Sequence, residues 1–407
     1  MRVAVIFHRV GPYHCARLEA AARQCDVTAI ELVAETQDYA WSPVKDTGGY
    51  SRLTLFTSGD TRTMSVKQVF GRTENALQNC RPDAVAIPGW SDKGALAALR
   101  WCMETGTPSI LMSESTALDE SRVRWREWIK ERIARLYSTA LVGGQRHVDY
   151  LAELGMPRKQ IFTGYDVVDN EHFRQKAVEV RNQRSEVRQK YGLPENYLLG
   201  SARFIKKKNL PTLIRAYARY RQLAGNRDDG ERITDNRPWD LVLLGDGPLR
   251  ETLNSQLSTL NLHGHVHLLG FKQYDELPVY YALAKAFVHT STTEQWGLVV
   301  NEASASGLPV IVSSRCGCVP ELVQDNGFTF DPMNQQELAS RLFEMASLSD
   351  DERERLGDAS RRIAANLGPD RFGEGLKRAA TMAIDLPRRK FRAFDRAILF
   401  GAMRFRR

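Results

Sequence analysis

The amino-acid sequence predicts an α/β protein built from two doubly wound parallel sheets. Short, continuous apolar runs alternate with segments of helical spacing, as expected for parallel strands covered by helices on both faces. The series occurs twice, once in each half, which argues for two Rossmann-like domains rather than one larger sheet. The length agrees: 407 residues exceed what one ordinary core needs and suit two domains of roughly 150–200 residues each.

In the first half, strands are expected at residues 3–7, 27–32, 84–88, 109–112 and 140–142. In the second half they are expected at residues 197–201, 241–244, 266–269, 286–289 and 310–312. Segments with helical spacing lie between them, for example 123–136 and 210–223. The stretch 173–191 is polar, highly charged and poor in core residues, so the domain boundary is placed there, as a solvent-facing linker helix. This gives domains at 1–175 and 191–368, with 369–407 as a C-terminal crossover helix and basic amphipathic tail. Residues 225–236, polar and glycine-containing, read as a surface loop.

Hydrophobic residues make up 43% of the chain and charged residues 26%, values of a globular protein rather than a disordered one. No apolar run approaches the ~18 residues of a membrane span. The N-terminal segment MRVAVIFHRV is too short in apolar character for a secretory leader and reads as the first strand. Six scattered cysteines do not form a disulfide framework and fit a reducing, cytoplasmic setting. Cys316-Gly-Cys318 lacks the spacing of a zinc site, so no metal is expected.

The richest stretch is Thr293-Glu294-Gln295-Trp296-Gly297-Leu298-Val299-Val300-Asn301-Glu302. It follows an expected strand, and open α/β sheets bind ligands at the C-terminal ends of their strands. Gly297 allows close backbone approach to a ligand. A helix is expected from about Leu298, so free amides there, including those of Leu298 and Val299, would face a phosphate. Glu302, about one turn further in, would accept from ribose hydroxyls, and Glu294 in the preceding loop would reach a sugar. Read alone, the two glutamates are equally compatible with an ordinary helix start and a solvated helix face.

Ser201-Ala202-Arg203-Phe204-Ile205-Lys206-Lys207-Lys208-Asn209 follows the first strand of the second half. Arg203 and Lys208 would neutralise a diphosphate and the charge that builds on it as it leaves. Lys206 and Lys207 read as a solvated loop. Gly245-Asp246-Gly247-Pro248, again after a strand, permits a tight turn beneath a ligand, and Gly270-Phe271 offers backbone contacts to a nucleotide base.

Together these elements resemble the family 4 retaining glycosyltransferases of the GT-B fold, the glycosyl transferases of group 1. The carrying residues are Arg203 with Lys208, Gly245-Asp246-Gly247, Gly270-Phe271, the pair Glu294 and Glu302 around Trp296-Gly297-Leu298, and Asn326-Gly327-Phe328 with Asp331-Pro332. The resemblance is strong over residues 160–335 and weaker through Gly164-Tyr165-Asp166-Val167-Val168-Asp169 and Gly11-Pro12.

It implies two Rossmann-like domains facing each other across a cleft, and transfer of a sugar from a nucleoside diphosphate-sugar to a glycan or lipid-linked acceptor with retention. It implies neither cofactor nor metal, the work of Mg²⁺ being done by Arg203, Lys208 and helix amides. The donor would bind the second domain, with Glu294 on sugar hydroxyls and Glu302 on the ribose. The acceptor would bind the first. Two features depart from the family pattern: the loop after the first strand, His8-Arg9-Val10-Gly11-Pro12-Tyr13-His14, has a single glycine, and Met112-Ser113-Glu114-Ser115-Thr116 lacks a histidine. On the acceptor side the candidates are therefore Gly11, His14 as a proton-handling group, Arg17, Trp90 as a sugar-stacking surface, and Glu114. For His14 and Trp90 the plain alternatives are a loop histidine bonded to backbone and a core aromatic.

The net charge of +8 sits mostly at the C-terminal end, where residues 386–407 carry eight Arg/Lys and one Asp. Phe391, Phe394, Ile398 and Phe405 recur there at roughly helical spacing, the pattern of a basic amphipathic helix on an anionic membrane surface. The plain alternative is a helix packing back over the first domain, a role that 370–383 fits better. Nucleic acid is not an expected partner. A dinucleotide-dependent oxidoreductase would want GxGxxG after a first strand, which neither half has. A non-catalytic nucleotide-sugar-binding or scaffold protein of the same fold remains the alternative function.

Overall fold

The computed structural model describes residues 1–35, 41–42, 44, 48–61, 63–225 and 237–405. They divide into two units, Met1–Val168 with Leu367–Arg407, and Asp169–Asn366.

The first unit holds a seven-stranded parallel sheet: β1 (Arg2–Phe7), β2 (Asp26–Glu35), β3 (Ser51–Ser58), β4 (Ala84–Pro88), β5 (Ser109–Ser113), β6 (Thr139–Val142) and β7 (Ile161–Thr163). Their spatial order is β3-β2-β1-β4-β5-β6-β7. Successive residues of β1 serve opposite faces. Ala4 and Ile6 join one buried cluster, while Val3, Val5 and Phe7 join another. Each cluster is closed by helices, which is why the strands read as unbroken apolar runs. Local chemistry sets the helix limits. In Lys93–Thr105, Asp92 accepts the Gly94 amide at 2.6 Å at the start, and Gly106 ends the helix in the left-handed conformation.

The second unit has β8 (Tyr197–Ser201), β9 (Asp240–Leu244), β10 (Val266–Leu268), β11 (Ala286–His289), β12 (Val310–Ser313) and β13 (Gly327–Phe330), ordered β10-β9-β8-β11-β12-β13. Every pairing in both sheets is parallel. Each sheet is thus doubly wound. The order reverses between β1 and β4 in the first and between β8 and β11 in the second. These reversals are the switch points at which such sheets bind ligands.

Three strands lie outside the sequence expectation. β3 and β7 are edge strands and β13 is an edge strand of four residues; none is a continuous apolar run, because an edge has fewer neighbours to exclude water. The boundary also differs. Residues 173–191 are not a linker but part of two helices of the second unit, Asn170–Asn182 and Arg184–Tyr191. Phe173 is fully buried there, edge-on to Tyr274 and Tyr281, so one aromatic anchors an otherwise charged helix. The division falls at Val168/Asp169 instead. Residues 367–407 belong to the first unit. Helix Pro369–Asp385 buries Phe372, Leu376, Ala379, Ala380 and Ala383 in the same cluster as Val3, Val5 and Phe7. The expected loop at 226–236 lies outside the described residues. Among the described residues no helix is long and apolar enough to cross a membrane.

Candidate functional site

The loops leaving the C-terminal ends of β8 to β12 are stitched together by their own backbone. Ala202 N donates to Leu244 O at 3.0 Å, Phe204 N to Asp246 O at 2.8 Å, and Gly245 N to Gly270 O at 2.8 Å. Across the switch point, Thr292 N donates to Lys207 O at 2.9 Å, and the Thr290 hydroxyl to Lys208 O at 2.9 Å. Gly317 N reaches Glu294 O at 3.0 Å. Residues scattered from 202 to 317 in sequence therefore form one floor.

Lys208 and Glu294 meet on that floor, one from each side of the β8–β11 reversal, as a mostly buried ion pair. Three donors converge on a single carboxylate oxygen, Glu294 Oε2: the Lys208 ammonium, the Ser291 hydroxyl at 3.0 Å and His289 Nε2 at 3.2 Å. The other oxygen, Oε1, has no protein donor among the described residues. Burial acts to raise the Glu294 carboxyl, but Lys208 and His289 outweigh it and hold the group well below the usual carboxylate range. Burial lowers His289, with Glu294 opposing and Lys208 adding to it. A neutral His289 then donates from Nε2, fixing the loop without adding charge. His289 and Ser291 were not read from the sequence as site residues; the run of small polar residues directly after a buried strand was the available signal.

Helix Leu298–Ala305 starts beside this pair, with Gly297 as its N-cap at φ +107°. That left-handed geometry favours glycine, and a Cβ there would touch Glu294 Cγ and Cys318 Sγ. The first-turn amides of Leu298 and Val299 have no intrahelical acceptor, as at any helix start. Trp296 is buried, its Nε1–H bonded to Asn301 Oδ1 at 2.8 Å, so it pins the loop to the helix rather than presenting a surface.

A ribose contact is the expectation for Glu302. The residue is 0% exposed, and the Tyr281 hydroxyl donates to its Oε2 at 2.7 Å. About one turn in from Leu298, it faces the inner side of the helix, where it anchors the element from beneath. Asn301, Trp296, Glu302 and Tyr281 together hold the helix start in place.

Gly245 sits at φ +120°, and a Cβ would lie 1.9 Å from Ala202 O, so the stitched floor requires glycine there. A Cβ at Gly247, at φ +151°, would lie 2.8 Å from Phe204 O. Asp246 is used locally, accepting Gly247 N at 2.7 Å and pairing with Arg250 at 3.4 Å. Gly270 accepts the Gly245 amide, and Phe271 next to it is an exposed aromatic at the rim. Arg203 is exposed, and its guanidinium has no partner among the described residues. Like Lys208, Arg203 leaves the C-terminal end of β8.

In the first unit the corresponding switch point carries the loops after β1 and β4. His8 Nδ1 lies 3.3 Å from Asp92 Oδ2 across it. Gly11 is the N-cap of helix Pro12–Ala22, and His14 Nδ1 accepts the Gly11 amide at 3.0 Å. Burial and then Arg17 lower His14 from 6.5 to about 3. With its Nδ1 lone pair on a backbone amide, the ring serves the helix start. Gly144 and His147 repeat the arrangement at another helix start, at 3.2 Å.

Arg17 is buried rather than open to an acceptor: its Nε donates to Val167 O at 3.0 Å, and Nη2 lies 3.9 Å from Asp166. Burial pushes Asp166 up, and Glu114 beside it adds to the rise against Arg17. Glu114, half-buried after β5, thus lies beside a buried carboxyl whose pKa is raised by burial. Trp90, expected as a sugar-stacking surface, is instead 4% exposed, within the buried cluster that also holds Ile6, Ile87 and Leu99.

Residues 183–363 match the family described as glycosyl transferases group 1. A GDP-mannose-dependent alpha-(1-6)-phosphatidylinositol monomannoside mannosyltransferase of Mycobacterium tuberculosis is 33% identical over 172 residues, 40% of this chain and 41% of that protein. An N-acetyl-alpha-D-glucosaminyl L-malate synthase of Bacillus anthracis is 27% identical over 214 residues, 51% of this chain and 50% of that one. The chain covers half or less of the length of these curated relatives. In fold it is similar to the crystal structure of Anabaena HepE in complex with UDP and glucose, with a TM-score of 0.68 at 17% identity over 93% of this chain and 99% of that one. Similarity of sequence over the second unit and of fold over most of the chain lead to one statement: residues 183–363 match the glycosyl transferases group 1 family, in a chain of two Rossmann-like units that shares the fold of HepE.

Proposed function

We propose that this chain is a retaining, metal-independent glycosyltransferase. It moves a sugar from a nucleoside diphosphate-sugar to a hydroxyl of a glycan or lipid-linked acceptor, in polysaccharide or glycolipid biosynthesis. The observation that carries the reading is the Lys208–Glu294 pair at the switch point of the second sheet, with Glu294 Oε1 left open.

The donor's diphosphate lies at the start of helix Leu298–Ala305, where Leu298 and Val299 amides, Lys208 and Arg203 meet its charge. When the bond from the anomeric carbon to the phosphate oxygen breaks, its electron pair stays on phosphate, and the same cations stabilise it. Glu294 Oε1 accepts hydrogen bonds from sugar hydroxyls, orienting the donor. Phe271 lies against the base, and the loops at the switch point of the first unit take the acceptor. The mannosyltransferase named above is described as GDP-mannose-dependent and HepE was crystallised with UDP, so the donor panel spans both bases.

The test is release of nucleoside diphosphate from UDP- and GDP-sugars with candidate acceptors, the anomeric configuration of the product being read by NMR. Lys208→Ala is expected to lower turnover roughly 10²–10³-fold, as loss of one leaving-group stabiliser does. Donor binding without turnover across the panel would instead favour a non-catalytic nucleotide-sugar-binding protein. Abolition of activity by EDTA would overturn metal independence, and an inverted product would overturn retention.

A further inference from the structure

The first unit carries an aromatic and cationic surface that the transfer reading does not use. Helix Arg124–Ala134 exposes Trp125 (61%) and Trp128 (46%), three residues apart and so on one face. Helix Ala393–Phe405 packs beside it. Leu399, with Ile398 and Ala402, faces the core, which leaves Phe394 (51% exposed) on the outside. The Trp128 and Phe394 rings meet edge-on at 6.0 Å, so the two helices share one patch although more than 250 residues of chain separate them. Water contact with three large rings is unfavourable, and contiguous apolar exposure of this kind marks an interaction surface.

The charge around the patch is one-sided. Arg124, Arg132, Lys390, Arg392 and Arg396 have no acidic side-chain partner among the described residues, while Arg126 shares the field of Glu120 with Lys130 and Arg122. The acidic groups of the two helices are already occupied. Glu127 binds Arg122 and Lys130, Glu131 binds Arg135, and Asp395 accepts the Arg392 amide. The Arg132 guanidinium lies 5.7 Å from the Trp128 ring centre and 5.1 Å from that of Phe394, and Arg126 lies 5.4 Å from that of Trp125. Guanidinium over these rings leaves less open face for stacking nucleobases. Rings flanked by cations are instead the chemistry of the headgroup layer, where indoles sit at the boundary and arginines meet lipid phosphate.

We propose that the Trp125–Trp128–Phe394 face, with its surrounding arginines, docks the protein on an anionic lipid bilayer. The proposal goes beyond sugar transfer and does not rest on it. It extends the expectation made for residues 386–407 by joining to it a helix that the sequence reading left unassigned. Trp125 and Trp128 supply apolar insertion, and Arg124 and Arg126 supply attraction to the surface charge.

The test is co-sedimentation of the full chain with phosphatidylcholine vesicles, with and without phosphatidylglycerol, at rising salt. Binding is expected only to the anionic vesicles and to weaken with salt. Arg124→Gln with Arg126→Gln should weaken it roughly 30-fold, at about 1 kcal/mol for each arginine. Trp125→Ser with Trp128→Ser should abolish insertion, read as loss of the blue shift in tryptophan emission. Unchanged melting temperatures and unchanged donor turnover in free solution keep these variants interpretable, since both rings are exposed. The proposal is overturned if the folded variants bind as the wild type does, if charge-free vesicles bind equally well, or if a single-stranded oligonucleotide or a second copy of the chain protects the tryptophans and vesicles do not.

Discussion

The Lys208–Glu294 contact joins two loops that are 86 residues apart, and its energy can be measured directly. Replacing Glu294 with Gln keeps the shape but removes the charge that Lys208 faces. Both side chains are 12% exposed, so solvent offers the stranded ammonium limited compensation. A hydrogen bond to a charged group contributes about 1.5–3 kcal/mol, and removing one partner of a fully buried pair costs about 3–5 kcal/mol. With residual solvent contact, about 2 kcal/mol is expected for Glu294→Gln. For a unit of about 200 residues that corresponds to a melting temperature lower by roughly 4–8 °C. Lys208→Met alone should also destabilise, because Glu294 then keeps only Ser291 and neutral His289. The double variant should be more stable than the sum of the two losses implies, giving a coupling energy of about 1.5–3 kcal/mol. Urea unfolding of the four proteins at pH 7 supplies the cycle. A coupling below about 0.5 kcal/mol, the usual additivity error, would mean that the two residues do not form this pair.

Arg203→Ala should leave stability within about 0.5 kcal/mol, since the side chain is exposed, yet lower donor turnover by about 10²-fold; a matched loss of both would make Arg203 structural. Gly245→Ala should destabilise by at least about 2–3 kcal/mol, because the backbone is left-handed and Ala202 O occupies the space of the new methyl group; a shift in the urea midpoint measures it. His14 should stay neutral throughout the range in which an ordinary histidine titrates. Its folded value lies below its unfolded value, so its contribution to stability is present above about pH 6.5 and is lost as pH falls towards about 3. Its ring proton shifts, followed by NMR, should be flat from pH 8 to 5, and His14→Gln should flatten the acid side of the stability curve; a titration midpoint near 6.5 would contradict the buried, amide-bonded ring.

The parallel sheets were legible because central strands must be apolar on both faces, and residues 84–88, 197–201 and 286–289 coincide with strands in the structure. The edges were not legible, since β3, β7 and β13 need cover on fewer sides. Lys208, Gly245, Glu294 and Gly297 could be singled out because each follows a strand, and the C-terminal ends of parallel strands converge. Sequence order also favoured the plain alternatives in part: Trp90 could have been a ring for a sugar or a ring for the core, and only its burial in the folded first unit distinguishes them.

Periodicity and apolar runs established by themselves that the chain makes two doubly wound sheets, because burial on one face or two leaves a record in every strand and helix. Orientation and pairing leave no such record. That Glu302 turns inward to Tyr281, that one oxygen of Glu294 collects three donors while the other stays open, that Phe173 ties a charged helix into the second unit, and that Trp128 meets Phe394 were decided by tertiary packing. The reason is physical: a side chain's partner is set by the three-dimensional return of distant segments, which local residue order does not encode one contact at a time.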